Sequence, residues 1–441
     1  MPGKPLHKRL LGPPYRLGLR VLSRLHPRRV RDLLLWGVGV LAAIRRRRRD
    51  PRLTVAVDVS PLWEPLTGIG WYLYRLLQHL APRQDLVLRL YGPTLAAAEA
   101  VPPPVVPLPE GPALERVLYA IPEDASLHRD RLIHLVRRLE PWLVAADGNR
   151  VVFAPNYLPS PRFAAAPGAL VATVHDLGYR RVPWAVRRET QERLEAELDQ
   201  VWFRARRIVT DSRAVRDEIV AEGLAASGRL RVVPLGPGQL PGSAGAEGAS
   251  PPPAGLPPGG YALSVGTLEP RKNLETLLEA WRALRRRRSG AAPPLVLCGA
   301  FGWKAEGLRT RVEAARAEGW LHHLGYVDEA ALAALYRGAR LFVFPSRYEG
   351  FGLPVLEALA AGVPVVASDL PVVRELAAGA ALYAPPMDVE AWVRQVERLL
   401  DDPELARRLA EAGGERARRY TWGAAAEAYA EIFREAAGAG G

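Results

Sequence analysis

From Leu53 to the C-terminus, short runs of aliphatic and β-branched residues alternate with longer stretches of helical period, and one proline- and glycine-rich segment interrupts the series. That alternation specifies βαβ units and parallel sheets. The interruption, GPGQLPGSAGAEGASPPPAGLPPGG from Gly236 to Gly260, has the composition of a domain linker. Before it, strands are predicted at Leu53–Val59, Leu86–Tyr91, Arg150–Ala154, Ala169–Val174, Arg207–Thr210 and Leu230–Pro234, with helices at Gly70–Leu80, Arg129–Leu139, Arg187–Ala205 and Ala214–Glu222. After it, strands are predicted at Tyr261–Gly266, Leu295–Cys298, Leu341–Phe344, Val363–Ala367 and Leu382–Tyr383, separated by helices near 274–288, 329–338, 354–361, 371–377 and 388–401. The fold class is therefore α/β, with two Rossmann-like doubly wound domains at 53–235 and 261–415, a linker at 236–260, and a last amphipathic helix within 416–441 whose candidate partner is the N-terminal domain. Two such domains on a hinge enclose a cleft, and ligands bind at the carboxyl ends of the strands.

The 441-residue chain carries a net charge of +13, which by itself suggests nucleic acid. Its location confines that reading to the leader, where a non-catalytic nucleic-acid or membrane-binding protein stays as the different-class alternative. Residues 1–52 hold 15 Lys/Arg against Asp32 and Asp50, whereas the remainder holds 45 basic and 45 acidic residues and is neutral. The leader's longest apolar run, Leu33 to Ile44, is 12 residues, short of the roughly 20 needed to cross a bilayer. Arg45 to Arg49 follow it directly, without the small-residue cleavage site of a secretory signal. Arginines on both sides of a short apolar stretch containing Trp36 suit a segment lying on an anionic membrane surface; a solvated basic tail and a helix packed on the body are the alternatives. The absence of an export signal implies the cytoplasmic side, on the inner face of the cell membrane. Cys298 is the single cysteine, so disulfides and cysteine-based zinc sites are excluded.

Chemistry is sought just after the strands. In FVFPSRYEGFGLPVLEALAAGVPVV, residues 342–366, the loop Glu349-Gly350-Phe351-Gly352-Leu353 runs into a helix N-terminus. The glycines let a ligand approach the backbone, and the helix end favours an anion. Glu349 and Glu357 are both suited to accept hydroxyl hydrogens, so the stretch fits a sugar phosphate or nucleotide sugar, or else an ordinary βα turn. Arg271 and Lys272, after the strand ending at Gly266, are suited to neutralise a diphosphate; a solvated pair is the plainer alternative. Gly68-Ile69-Gly70 opens a helix without the third glycine of a dinucleotide motif, and so reads as a ligand loop or a tight turn. His175, directly after a strand, is placed at the cleft or held structurally. There is no P-loop, no HExxH and no Asp-x-Asp, so no usual carboxylate clamp for a metal; the expectation is that no metal and no cofactor are used.

Glu349-x7-Glu357 within PSRYEGFGLPVLEALAAGVPVVAS, together with VGTLEPRKN and VHDL, resembles the retaining GT-B glycosyltransferases of family 4, over about Leu53 to Trp422. The resemblance implies a hexose transferred with retention from a nucleotide diphosphate to a hydroxyl of a glycan or lipid-linked acceptor. Residue by residue, it implies that Arg271 and Lys272 hold the diphosphate. It gives Glu349 with the Gly350, Phe351, Gly352 and Leu353 backbone the sugar and its phosphate, and Glu357 the ribose. His175 would touch the hexose near its anomeric carbon, and the Gly68–Gly70 loop would face the phosphates or acceptor. Gly266 lies at the diphosphate strand end, while Gly299 to Lys304 and Tyr326-Val327 would border the base. The VHDL, GTLEPRKN and Gly299–Lys304 patterns most resemble bacterial mannosyltransferases, which implies GDP-mannose as donor and surface polysaccharide as product. A GT-B-fold epimerase or phosphorylase would share the same pocket.

Overall fold

The structure, a computed structural model, describes residues 27–63, 66, 68–93, 95, 103–119, 129–156, 160–163, 166–238, 256 and 260–438. Among these, β1 (Leu53–Asp58), β2 (Leu86–Tyr91), β3 (Leu114–Arg116), β4 (Val151–Ala154), β5 (Ala169–Thr173), β6 (Arg207–Thr210) and β7 (Leu230–Val232) form a parallel sheet in the order 3-2-1-4-5-6-7. A second parallel sheet runs 10-9-8-11-12-13, from β8 (Tyr261–Val265), β9 (Leu295–Cys298), β10 (Leu321–Gly325), β11 (Ala339–Phe344), β12 (Val365–Ser368) and β13 (Leu382–Ala384). Both orders reverse beside the first strand of the unit, the switch point at which α/β sheets bind ligands. The central strands are buried on both faces, as their continuous aliphatic runs require. The two edge strands β3 and β10 lie outside the sequence expectation. Each has one neighbour and is largely half-exposed, so neither carries such a run.

The last helix, Trp422–Gly438, crosses back onto the N-terminal sheet. Phe433 packs on Phe153 of β4 at 5.2 Å between ring centroids, and Glu435 pairs with Arg207 and Arg231. The Tyr429 hydroxyl lies 2.6 Å from that of Tyr72 and 2.9 Å from Thr173 Oγ1. The linker is anchored at its entry, where Trp422 Nε1 donates to the Pro237 carbonyl and Arg75 Nε to that of Gly238. Residues 239–255 and 257–259 lie outside the described residues.

The described part of the basic leader, residues 27–52, is not separate from the body, and residues 1–26 lie outside the described residues. Residues Pro27–Arg48 form a helix whose Val40 is buried and whose Trp36 and Ile44 pack on the N-terminal core. Arg47, 5% exposed, pairs with Glu115 and Asp147. The boundary expected at residue 52 thus falls inside a folded unit. The reason is physical: a cation buried beside two carboxylates ties the helix down, and no period in the sequence reveals those partners. No helix among the described residues is long and apolar enough to cross a membrane.

Candidate active site

The loops after β8 and β11 bring two cations and two carboxylates together. Glu349 accepts from Lys272 Nζ at 2.6 Å and pairs with Arg271 at 2.8 Å, and Arg271 also pairs with Glu269 at 2.8 Å. Burial would push Glu349 upward, but Arg271 and Lys272 outweigh it and hold the carboxyl at about 2. Burial raises Glu269 despite Arg271, and it lowers Lys272 despite Glu349. Arg271 is raised, because Glu349 and Glu269 overcome the cost of burying its charge. The backbone locks the two loops together: Arg347 N donates to Arg271 O, and Arg271 donates to Tyr348 O. Asn273 begins the following helix in the left-handed region without capping it through its side chain. Its amide instead donates to the carbonyls of Pro345 and Pro386.

Glycine is required where strand ends approach one another. A Cβ at Gly299 would lie 2.1 Å from the Gly266 carbonyl, and Gly266 itself sits at φ 145° with the Lys272 stem against it. Gly352, at φ 95°, precedes the helix Leu353–Ala360, in which Pro354 is the second residue. The amides of 350–353 therefore sit at a helix N-terminus beside Lys272 and Arg271, a setting that favours an anion. Phe351 is buried against Tyr420, and Val327 packs on the core.

The opposite lip comes from the N-terminal unit. Ser212 Oγ donates to the Gly350 carbonyl at 2.7 Å, and Tyr348 OH accepts from Leu177 N and donates to Glu218. Beside this contact the His175 ring is nearly buried. Its Nδ1 faces Asp211 at 2.7 Å and its Nε2 the Pro155 carbonyl at 2.9 Å, with Tyr72 edge-on at 4.8 Å. Burial works against its charge, but Asp211 outweighs it and raises the pKa; two acceptors suit the imidazolium. Of the two alternatives the sequence offered, a ring at the cleft as the resemblance implies or one held structurally, this geometry matches the second: both nitrogens point into the N-terminal unit. To reach a sugar, Nε2 would have to leave Pro155.

Glu357 is also turned away from open cleft. Tyr336 OH donates to it at 2.7 Å and the Gly238 backbone bonds to it from the linker, while burial pushes its carboxyl up to about 7. Trp303 and Lys304, expected to border a base, instead reach across the cleft. Lys304 Nζ donates to the Trp184 and Val186 carbonyls, each at 2.9 Å, Trp303 Nε1 donates to Ala185 O, and Arg347 stacks on Trp184. Gly68 starts the helix Gly68–Leu80, and Gly70 packs beneath Leu66. The sequence reading missed Asp211, Ser212, Tyr348 and Trp184. Asp211 and Ser212 follow β6, and strand-end position is the signal that points to them.

A Cβ at Gly350 would lie 1.9 Å from the His175 carbonyl, too close for any side chain. Gly350→Ala is therefore expected to force the two lips apart and to lower turnover about 100-fold, the cost of misplacing reacting groups by about 1 Å. Turnover measured beside small-angle scattering of the same variant checks this.

Two doubly wound parallel sheets facing across a cleft, with paired cations and a glycine-led helix end on one lip, define the GT-B class of fold. Residues 257–416 match the family described as Glycosyl transferases group 1. The O-antigen chain mannosyltransferase B of Escherichia coli is 31% identical over 383 residues, spanning 84% of this chain and 96% of that protein. A D-inositol 3-phosphate glycosyltransferase of Salinispora arenicola is 29% identical over 455 residues, spanning 92% and 96%. Among solved structures, the sucrose-phosphate synthase of Thermosynechococcus elongatus matches with a TM-score of 0.64 at 22% identity, over 87% of this chain and 99% of that one. WaaG, a glycosyltransferase involved in lipopolysaccharide biosynthesis, matches at 0.61 and 17% identity, over 86% and 99%. Both structures speak for the fold alone. The chain belongs to the group 1 glycosyl transferases and is a glycosyltransferase enzyme.

Proposed function

We propose that this enzyme transfers mannose from GDP-mannose, with retention and without a metal ion, to a hydroxyl of a glycan or lipid-linked acceptor in surface-polysaccharide assembly. It would work on the cytoplasmic face of the cell membrane. The observation that carries the reading is the Arg271–Glu349–Lys272 cluster at the Leu353 helix N-terminus, closed over by the other lip at Ser212. The mannosyltransferase named in Escherichia coli supports the choice of sugar.

The cluster is self-neutralised, with Arg271 and Lys272 paired to Glu349 and Arg271 also to Glu269. An entering diphosphate takes Arg271 and Lys272 from Glu349, and the released carboxylate accepts hydroxyls of the sugar. Glu357 exchanges the Gly238 amide for ribose hydroxyls. The acceptor oxygen then attacks the anomeric carbon on the face from which the diphosphate departs. As the bond from carbon to phosphate oxygen breaks, its electron pair stays on that oxygen, which takes the acceptor's proton. The products are the new glycoside and a nucleoside diphosphate. Arg271, Lys272 and the amides of 350–353 stabilise the growing negative charge, and fixed dipoles and charges of this kind usually supply most of the rate enhancement.

The test is binding and turnover of GDP-, UDP- and ADP-sugars with and without EDTA. GDP-mannose is expected to bind best and to transfer undiminished by the chelator. Loss of all transfer with EDTA defeats the metal-free mechanism, and epimerisation at C2 without transfer defeats the enzyme class proposed. The Glu357 carboxyl adds a pH signature. Below pH 7 it is protonated and offers one acceptor fewer; as pH rises through about 7 it ionises. Affinity for nucleoside diphosphate should therefore rise across that interval, and Glu357→Gln should flatten the rise relative to the parent, as titration calorimetry would measure.

A further inference from the structure

We infer that the outer faces of two N-terminal helices, Pro27–Arg48 and Arg129–Ala146, form a docking surface for an anionic membrane. The surface rests on the peripheral location proposed above, but it extends beyond the leader and its assay is read without reference to sugar transfer. The first helix buries Val40 and Arg47 against the body and presents the opposite face outward. That face carries Val38 (64% exposed) and Leu41 (55%), followed one and two turns later by exposed Arg45, Arg46 and Arg49. The second helix buries Val136, Leu143 and Val144 and leaves His134, Arg137, Arg138 and Trp142 outward, with Trp142 61% exposed. The helices meet at their C-terminal ends, where Arg48 Nε donates to the Ala146 carbonyl at 2.8 Å. Both pack into the same apolar cluster.

Among the described residues, the carboxylates next to residues 36–49 and 133–146 are withdrawn from this surface; Asp32 and Asp130, on the same two helices, lie outside the residues whose side chains are described. Glu140 is buried and accepts from Leu95 N, Asp147 is buried among Arg47, Tyr91 and Tyr119, and Asp50 is held by Arg52. Residues 36–49 and 133–146 thus expose Arg45, Arg46, Arg48, Arg49, Arg137 and Arg138 and no carboxylate. Arginines alone would suit nucleic acid as well. Here they stand beside an exposed indole and two exposed aliphatic side chains, which gain by entering a headgroup layer and gain nothing against a phosphate backbone. Each arginine brought to an anionic surface contributes about fivefold in partition.

The experiment is sedimentation of the full chain with vesicles of phosphatidylcholine alone and of phosphatidylcholine with phosphatidylglycerol. The parent should bind the anionic vesicles and release them at high salt. Arg137→Glu with Arg138→Glu should weaken partition at least about 25-fold, and Leu41→Ser with Trp142→Ala should weaken it at unchanged salt dependence. Circular dichroism and binding of GDP, read at the other domain, should stay at parent values for both pairs and so report folding. Equal binding to neutral and anionic vesicles overturns the proposal. So does unchanged partition of the Arg137/Arg138 variant, which would return the charge effect to the leader alone. Duplex DNA that displaces the vesicles, with the Leu41/Trp142 variant behaving as the parent, would assign the surface to nucleic acid instead.

Discussion

Lys272→Ala is expected to lower kcat by roughly 30- to 800-fold, equivalent to about 2–4 kcal/mol of transition-state stabilisation, as for loss of one donor to a developing oxyanion. Lys272 Nζ is the nearest cation to Glu349 and sits over the Phe344 ring at 5.2 Å, with its stem in the space that Gly266 leaves open. Its position therefore depends on a glycine and an aromatic face, and the charge cannot be restored by a neighbouring side chain. Removing it should leave the fold intact, because Glu349 keeps Arg271. Lys272→Arg should recover part of the loss, less than charge alone would give, since a planar guanidinium does not replace a compact ammonium. Steady-state kinetics separate the outcomes. A fall confined to KM would assign Lys272 to ground-state binding, and an unchanged rate would remove it from the diphosphate site.

Arg47→Met is expected to destabilise the N-terminal unit by about 3–5 kcal/mol, the usual cost of removing one partner from a buried ion pair. Asp147 is buried and receives three donors: Arg47, the Tyr91 hydroxyl at 2.7 Å and the Tyr119 hydroxyl at 2.9 Å. Arg47 also pairs with Glu115, and its backbone carbonyl accepts from the fully buried Arg89. Without the guanidinium, the buried Asp147 carboxyl keeps its two phenol donors, while the neighbouring Arg89 is bonded to the Asp147 backbone carbonyl. Methionine keeps the apolar bulk, so the measured difference isolates the charge. Unfolding in urea, followed by tryptophan fluorescence, should show an earlier first transition while the second, from the other domain, stays in place. Coincident curves for variant and parent would mean that the Pro27–Arg48 helix contributes nothing to the fold. Because this helix also carries the outward arginines, its anchoring is what would convert a basic segment into an oriented surface.

Much of the fold is legible along the chain. β2 (LVLRLY), β6 (RIVT) and β9 (LVLC) are short runs rich in aliphatic residues, and their predicted limits coincide with the observed ones. Val343 and Val365 belong to strands whose limits shift by only a few residues. What escapes is the periphery. β3 is three residues long and β10 reads LHHLG, because a strand with one neighbour need not be apolar on both faces. The helices Glu306–Ala317 and Pro403–Ala417 escape for a similar reason: each is largely exposed and keeps only a few buried side chains. Within the site, Arg271, Lys272 and Glu349 are legible as polar residues after strands. Their mutual neutralisation is not, since Glu349 lies far along the chain from the cations it balances.

What the chain dictates on its own is therefore local: where strands and helices fall, which glycines and charges follow strand ends, and that the excess charge sits before residue 53. Those follow from side-chain period and backbone freedom, which act over a few residues. Only the folded structure decides that the His175 nitrogens face Asp211 and Pro155, that Trp303 and Lys304 grip the far lip, and that the last helix closes the first sheet. Each of those depends on groups brought together across distant parts of the chain, where burial and charge, and no local pattern, choose the partner.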